Sequence, residues 1–213
     1  MDKEQVLNAL QQLKQHPKRK FEQSYDLIIN LKNIVIKQDP VDVFVTLHNS
    51  KGRKIKVAAF VDQQLADNAK QHCDFIIRDT EFQNFANNKN VLRKLAEDYD
   101  YFIAQANLMP KVAAVFGKVL GTKGKMPNPK MGCVVPPSAN IGSLVNNLNY
   151  TVRLVAKKGL NLQCIIGKEN QSDAEVCDNI LTVYQAVLKH VPNETQNIKN
   201  VQLKLTMSKP VKL

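Results

Sequence analysis

Hydrophobic and polar residues alternate along both ends of the chain. The alternating segments are SYDLIINLKN (24–33), VDVFVTLH (41–48), TVRLVA (151–156), LNLQCIIG (160–167) and NVQLKLTMS (200–208). A period of two predicts β-strands that bury one face. Asp39-Pro40 predicts a turn between the first two strands, and Lys157-Lys158-Gly159 predicts a hairpin between the next two. Both ends are therefore expected to build antiparallel structure.

The middle of the chain has a different pattern. Three short apolar runs, KIKVAAFV (54–61), DFIIR (74–78) and YFIAQA (101–106), are each followed by a segment with helical spacing. Continuous apolar runs that alternate with helices predict a parallel sheet covered on both faces. Three helices are predicted: one at 63–73, one that starts after the capping box Thr80-x-x-Gln83, and one at 108–116.

Further helices are predicted at 3–15, at 141–148 and after a capping box at Ser172-x-x-Glu175. Together these elements predict two domains of mixed α/β and α+β class. An α+β domain is formed by both termini (1–48 and 150–213), and a layered α/β domain (49–149) is inserted into it. The two chain crossings, near 49–52 and 149–151, are expected to form a hinge.

Charge is distributed unevenly along this framework. The formal net charge is +11, yet residues 101–168 contain nine Lys or Arg and no Asp or Glu. Soluble surfaces ordinarily intersperse both signs. A stretch of this length without an acid therefore favours binding to a polyanion over a plain solvated face.

The stretch FGKVLGTKGKMPNPKMG (116–132) suggests a loop that binds a nucleotide phosphate, but its spacing excludes one. A P-loop needs Gly where Val119 stands, and Ser or Thr where Met126 stands. The dinucleotide pattern needs Gly-x-Gly after a strand, and no two glycines here have that spacing. Both nucleotide motifs fail.

Catalytic and metal-binding patterns are equally lacking. The four cysteines are scattered without C-x-x-C spacing and are expected to be reduced, buried thiols. The four histidines lie in unrelated contexts, and no nucleophile motif occurs. No apolar run approaches the ~20 residues of a membrane helix, and the polar start lacks signal-peptide character. We expect no enzyme activity, metal, cofactor or membrane contact, and a cytoplasmic location.

The aromatic content selects among RNA-binding classes. There is no Trp, and the strands lack the paired aromatics on which single-stranded readers stack bases. Folded RNA, contacted through phosphates and 2′-hydroxyls, fits better. In RKFEQSYD and KLTMSKP, Phe21 and Met207 could form an apolar floor beside the hydroxyls of Thr206 and Ser208. The alternative is that both apolar side chains merely close the edge of the core.

Four segments carry a resemblance to a known family: FIAQANLMP, GKVLGTKGKMPNPK, KFEQSYD and the terminal LTMS. Together they resemble the L-one family of large-subunit ribosomal proteins in its short archaeal-type form. The resemblance implies an inserted Rossmann-like three-layer domain. It also implies that the protein is a structural constituent of the large subunit, binds rRNA at the mobile stalk near the E site, assists release of deacylated tRNA and represses its own mRNA. The implied partners are therefore large-subunit rRNA, E-site tRNA and its own mRNA, with the chain a monomer when free.

The resemblance also implies site residues in the domain formed by both termini. The implied RNA contacts are Lys20, Phe21, Ser24, Asp26, Gln163, Gly167, Lys168, Thr206, Met207 and Ser208. In the inserted domain, Gly121, Gly124, Pro127 and Pro129 are expected to set a rigid loop path. Secondary rRNA or tRNA contacts are expected from the lysines on that loop: Lys118, Lys123, Lys125 and Lys130.

Two positions depart from the family pattern. Ser208 stands where the family typically has Gly, so a side chain could loosen or reshape the RNA contact. Thr122 stands where the family typically has Pro, which removes a fixed φ from the expected turn. Two other interpretations of the sequence stay open at this point: a nucleotide-binding α/β enzyme, and a non-specific basic RNA chaperone.

Overall fold

The computed structural model describes residues 1–17, 19–35, 39–86, 88–156 and 159–213. They form two compact units: residues 1–53 with 150–213, and residues 54–149. We call these the two-termini unit and the inserted unit. None of the helices in these described ranges is both long and apolar enough to cross a membrane.

The two-termini unit combines two antiparallel sheets with two helices. Its helices are α1 (Lys3–Lys14) and α7 (Asp173–His190), and its strands are β1 (Ser24–Leu31), β2 (Asp42–Thr46), β7 (Thr151–Val155), β8 (Asn161–Lys168), β9 (Ile198–Leu205) and β10 (Val211–Lys212). One sheet has the order β10-β9-β1-β8, and β2 pairs with β7 in a second. All of these pairings are antiparallel.

Alternation along β1 explains why the helices cover one face of this sheet. Tyr25, Leu27 and Ile29 are fully buried, whereas the residues between them are partly exposed. The buried side chains pack in one core with α1 and α7. The other face of β1 stays polar, and Nδ2 of Asn30 donates a hydrogen bond across it to Oδ1 of Asn200 at 2.6 Å.

The inserted unit is a parallel sheet between two helical layers. Its elements are β3 (Val57–Val61), α2 (Ala66–His72), β4 (Phe75–Arg78), α3 (Phe82–Ala86), α4 (Lys89–Asp98), β5 (Tyr101–Gln105), α5 (Met109–Lys123), β6 (Val134–Val135) and α6 (Ile141–Tyr150). The strand order is β4-β3-β5-β6, and every pairing is parallel. One core lies between the sheet and α3, α4 and α5, and the other lies between the sheet and α2 and α6. The predicted fold class is confirmed.

Three local predictions are wrong. The glycine-rich stretch is not a loop throughout, because α5 continues to Lys123 and ends at Gly124, which has φ 69°. Thr80 is not a helix N-cap. It lies in a 3-10 turn in which a carboxylate oxygen of Glu81 accepts a hydrogen bond from the amide of Arg78 at 3.4 Å.

The third wrong prediction concerns pairing. Strands β7 and β8 were expected to form a hairpin, but β7 pairs with β2 and β8 pairs with β1. The predicted hairpin residues Lys157 and Lys158 lie outside the described residues. For β8, pairing with β1 makes it part of a four-stranded sheet, which is more stable than an isolated two-stranded hairpin.

Candidate nucleic-acid interface

One edge of the four-stranded sheet collects most of the predicted RNA contacts. Because β8 and β9 run antiparallel to β1, their last residues lie beside its first. Ser24 is opposite Lys168, and Tyr25 is opposite both Gly167 and Leu205. The turn after β9 completes the edge. We call the following six residues the strand-end cluster: Ser24, Gly167, Lys168, Thr206, Met207 and Ser208.

Hydrogen bonds to β1 fix the turn that follows β9. Thr206 donates from its amide to the carbonyl of Ser24, and its Oγ1 accepts from the amide of Ser24, both at 3.1 Å. The amide of Met207 donates to Oε1 of Gln23 at 3.1 Å. Gln23 is almost fully buried. A buried amide side chain therefore holds the backbone of Met207 while leaving its side chain 61% exposed.

Phe21 and Lys20 lie just before β1, beside an open cleft. The cleft has a volume of about 560 Å³ and is lined by Lys14, Arg19, Lys20, Phe21, Glu22, Glu169 and Asn170. Phe21 is 51% exposed. Since Phe21 and Met207 are both more than half exposed, they do not close the core edge, which was the alternative interpretation of these two residues.

The charges at this edge are mixed. Nζ of Lys168 forms an ion pair with Glu22 at 2.5 Å. Asp26 faces Lys204 across the β1–β9 pair. Burial raises the pKa of Asp26, and the positive charge of Lys204 opposes that shift. Asp26 is therefore matched to a neighbouring lysine, and Lys204 and Lys168 at this edge both have carboxylate neighbours.

Gln163 lies apart from the strand-end cluster. It is opposite Ile28, five residues before Lys168 on β8, which places it about 17 Å along the strand. Its side chain is exposed. Gln163 therefore belongs to the open face of the sheet and not to its edge.

Tyr25 brings a buried polar group close behind the cluster. Its side chain is fully buried, and its hydroxyl has no hydrogen-bond partner within the described part of the chain. Burial raises the pKa of Tyr25 to about 12, with Asp173 and Glu169 adding to the shift. The phenol therefore stays neutral at physiological pH.

The four lysines expected to make secondary contacts have different environments. Lys118 and Lys130 are exposed and form no ion pair among the described residues. Lys123 pairs with Glu97 at 3.2 Å. Nζ of Lys125 donates to the carbonyls of Ala96 and Tyr99 at 2.9 and 2.6 Å. Lys118 and Lys123 also lie about 140° apart around α5, so the four do not form one basic face.

Four of the basic side chains in the acid-free stretch, residues 101–168, form ion pairs with acids from elsewhere in the sequence. The ion pairs are Lys111 with Asp79, Lys123 with Glu97, Arg153 with Asp42 and Lys168 with Glu22. A stretch without acids in the sequence is therefore not a continuous basic surface in the fold.

In the inserted unit, two polar side chains are hydrogen-bonded to each other at the strand ends where nucleotide-binding α/β proteins hold their ligands. Such ligands bind where the strand order reverses, beyond the carboxyl ends of the strands. Here Asp62 and Gln105 follow β3 and end β5, and Nε2 of Gln105 donates to Oδ2 of Asp62 at 2.7 Å. Gln105 is fully buried, and its hydrogen bond is the main cause that lowers the pKa of Asp62. Within the described ranges, no group of His, Cys, Asp and Glu could hold a metal.

Sequence reasoning missed the residues that support the edge from behind. Gln23 is in phase with the buried positions of β1, so a polar residue on the apolar face was the available signal. Glu22 and Gln171 carry no such signal, because their partners are distant in sequence: Lys168 for Glu22, and Ser50 for Gln171.

Comparison with known proteins gives concordant matches. The sequence model of the Ribosomal protein L1p/L10e family matches residues 13–209. The large ribosomal subunit protein uL1 of Methanocaldococcus jannaschii is 35% identical over 100% of this chain and 96% of its own length. The uL1 proteins of Pyrococcus abyssi and Nanoarchaeum equitans are 35% and 32% identical, over 100% and 97% of this chain and 96% and 98% of their own lengths.

Proposed function

The chain belongs to the ribosomal protein L1p/L10e family, and from this premise we propose that it binds folded large-subunit rRNA through the strand-end cluster. Membership confirms the resemblance seen in the sequence and makes the chain a structural, non-enzymatic protein of the large ribosomal subunit. The predicted location at the ribosome follows from it.

One observation carries the proposal: most of the residues implied by the family, Gln163 excepted, meet at one edge of the sheet. Two exposed apolar side chains, Phe21 and Met207, lie at this end of the two-termini unit, as do the side chains of Lys20 and Lys168. Folded RNA offers ribose and base surfaces to the apolar groups, and phosphates and 2′-hydroxyls to the polar ones. Backbone hydrogen bonds hold the turn in place, so binding would require little ordering of the protein.

The finer functions belong to the same proposal. The rRNA would be the mobile stalk near the E site, and the protein would assist release of deacylated tRNA. Its own mRNA would offer a similar structure to the same cluster and so be repressed. The RNA-binding domain is proposed as 1–48 with 150–213. The inserted domain, 49–149, would add secondary contacts through exposed lysines such as Lys118 and Lys130.

A salt titration tests the proposal directly. Binding to a folded stalk rRNA fragment is compared with binding to an unrelated hairpin of equal length. Phosphate contacts predict a linear fall of log affinity with log salt for both. We expect the stalk fragment to keep an advantage on the order of 10³ at physiological salt, as specific nucleic-acid sites do. Equal affinities that fall together would instead indicate a non-specific basic RNA chaperone.

A pair of substitutions locates the site. Met207→Asp places a carboxylate in the strand-end cluster, and we expect about tenfold weaker binding of the stalk fragment, equivalent to about 1.4 kcal/mol. Val35→Asp is the matched control, because it adds the same charge at an equally exposed apolar position, 57% against 61%, beyond the other end of β1. Equal losses for the two variants would refute the site. Circular dichroism checks that both variants remain folded.

A further inference from the structure

The chain enters the inserted unit through residues 49–53, which we call the first crossing. This segment is hydrogen-bonded to the connection between β8 and α7. Gln171 lies half-buried in that connection. Its Oε1 accepts a hydrogen bond from the amide of Lys168 at 2.7 Å, and its Nε2 donates one to the carbonyl of Ser50 at 2.7 Å. One side chain thus joins a residue of the strand-end cluster to the crossing.

Two glycines leave room for this contact. A Cβ at Gly167 would lie 2.6 Å from Oε1 of Gln171, too close for both to keep their positions, so the Gln171 side chain would have to shift. A Cβ at Gly52 would lie 3.0 Å from Cγ of Lys168, and Gly52 also has φ +72°. The crossing therefore packs directly on the side chain of Lys168. A shift of Lys168 or Gln171 would displace the backbone at Gly52.

The remainder of the crossing is held within the same unit. Asn179, fully buried on α7, accepts from the amide of Asn49 at 3.1 Å and donates to its carbonyl at 3.2 Å. Nζ of Lys51 donates to the carbonyl of Thr151 at 3.0 Å. Between these two anchors, Ser50 is held by Gln171, so this hydrogen bond links the middle of the crossing to the cluster.

We propose that Gln171 is a positioning residue that couples occupation of the strand-end cluster to the order of the first crossing, residues 49–53. This inference rests on the proposed function, because its ligand is the RNA bound at that cluster. RNA that contacts Lys168 restrains its backbone, and the restraint passes through Gln171 to Ser50 and Gly52. Such coupling is reciprocal, so an ordered crossing also raises the affinity for RNA.

Hydrogen exchange of the full chain, with and without the stalk rRNA fragment, tests the coupling. We expect exchange in residues 49–53 to slow about fivefold or more on binding, which is the lower end of ordinary coupling energies. Gln171→Met has a similar size but forms neither hydrogen bond, and it should abolish this slowing while RNA still binds. Gln196→Met, at an exposed position before β9, is the matched control and should respond like the wild type.

The outcomes separate this inference from the proposed function. If RNA protects the amides of Ser24 and Thr206 but not residues 49–53 of the wild type, the coupling is overturned and the RNA site stands. Equal slowing in the wild type and in Gln171→Met also overturns it, because Gln171 is then not the link. If RNA protects neither region, the proposed function fails and this inference fails with it.

Discussion

Two residues that depart from the family pattern are accommodated by local hydrogen bonds. The hydroxyl of Ser208 accepts from the amide of Leu205 at 2.8 Å and donates to the carbonyl of Lys209 at 3.1 Å. These two hydrogen bonds hold the turn after β9, and a Gly at this position could not form them. Thr122 lies in the last turn of α5, where its hydroxyl donates to the carbonyl of Val119 at 2.9 Å. The expected effect of Ser208 on RNA affinity remains a prediction.

Lys125 is the residue for which the structure most changes the expected role. Its ammonium group donates to the carbonyls of Ala96 and Tyr99, at the end of α4, where a cation stabilises the helix C-terminus. We expect Lys125→Met to lower the free energy of unfolding of the inserted unit by about 1 kcal/mol, because those carbonyls lose a charged donor. Urea unfolding followed by hydrogen exchange measures the loss in that unit.

The control for this prediction is Lys118→Met. Lys118 is exposed on α5 and has no ion pair within the described residues, so its replacement should leave stability nearly unchanged. A loss of equal size in both variants would mean that the hydrogen bonds of Lys125 contribute nothing specific. In that case its predicted nucleic-acid contact would become the better explanation for a lysine at this position.

At the scale of elements, α5 shows how a helix can contain the glycines of an expected loop. Phe116 and Leu120 are buried at helical spacing and continue the apolar face past Gly117 as far as Gly121. Burial of that face offsets the backbone entropy that each Gly costs, about 0.5–1 kcal/mol relative to Ala. The helix ends only at Gly124, whose left-handed φ is the ordinary way to close a helix.

This account predicts opposite effects for two glycine substitutions in α5. A Cβ at Gly117 would meet nothing within 4 Å, so Gly117→Ala should raise the midpoint of thermal unfolding, corresponding to about 0.5–1 kcal/mol. Gly124→Ala should lower it, because φ at Gly124 is 69° and Ala is strained there. Calorimetry of both variants provides the measurement. A lower midpoint for Gly117→Ala would show that the stretch is not helical in solution.

The sequence predicted the elements better than their partners. Alternation placed the strands within a few residues, and Ser172 caps α7 as expected, with its Oγ accepting from the amide of Glu175 at 3.4 Å. Periodicity reports only which face of an element is buried, so it could not show that β8 pairs with β1. For Phe21 and Met207 the sequence left two alternatives open, and their exposure in the structure decides between them. The support from Gln23 depends on a three-dimensional contact that no spacing reveals.

At the scale of the whole molecule, both units bury ionisable groups that must stay protonated. Burial raises the pKa of Cys133 in the inserted unit from 9.0 to about 11. In the two-termini unit, burial raises the pKa of Cys164 to about 12, with Asp26 adding to the shift, and that of Tyr25 to about 12. In the unfolded chain these groups ionise at lower pH, so above pH 9 the unfolded chain holds fewer protons than the folded chain.

Stability should therefore fall as the pH rises through this range. The contribution of Cys133 is fully present below pH 9, the ordinary thiol pKa, and is lost as the pH approaches about 11. We expect the midpoint of thermal unfolding to fall between pH 8 and pH 11, and to fall less steeply in Cys133→Ala, which cannot ionise there. Lysines also lose charge in this range, so the difference between the two chains is the decisive quantity. Parallel curves for the two would show that the thiol of Cys133 is not buried in the native protein.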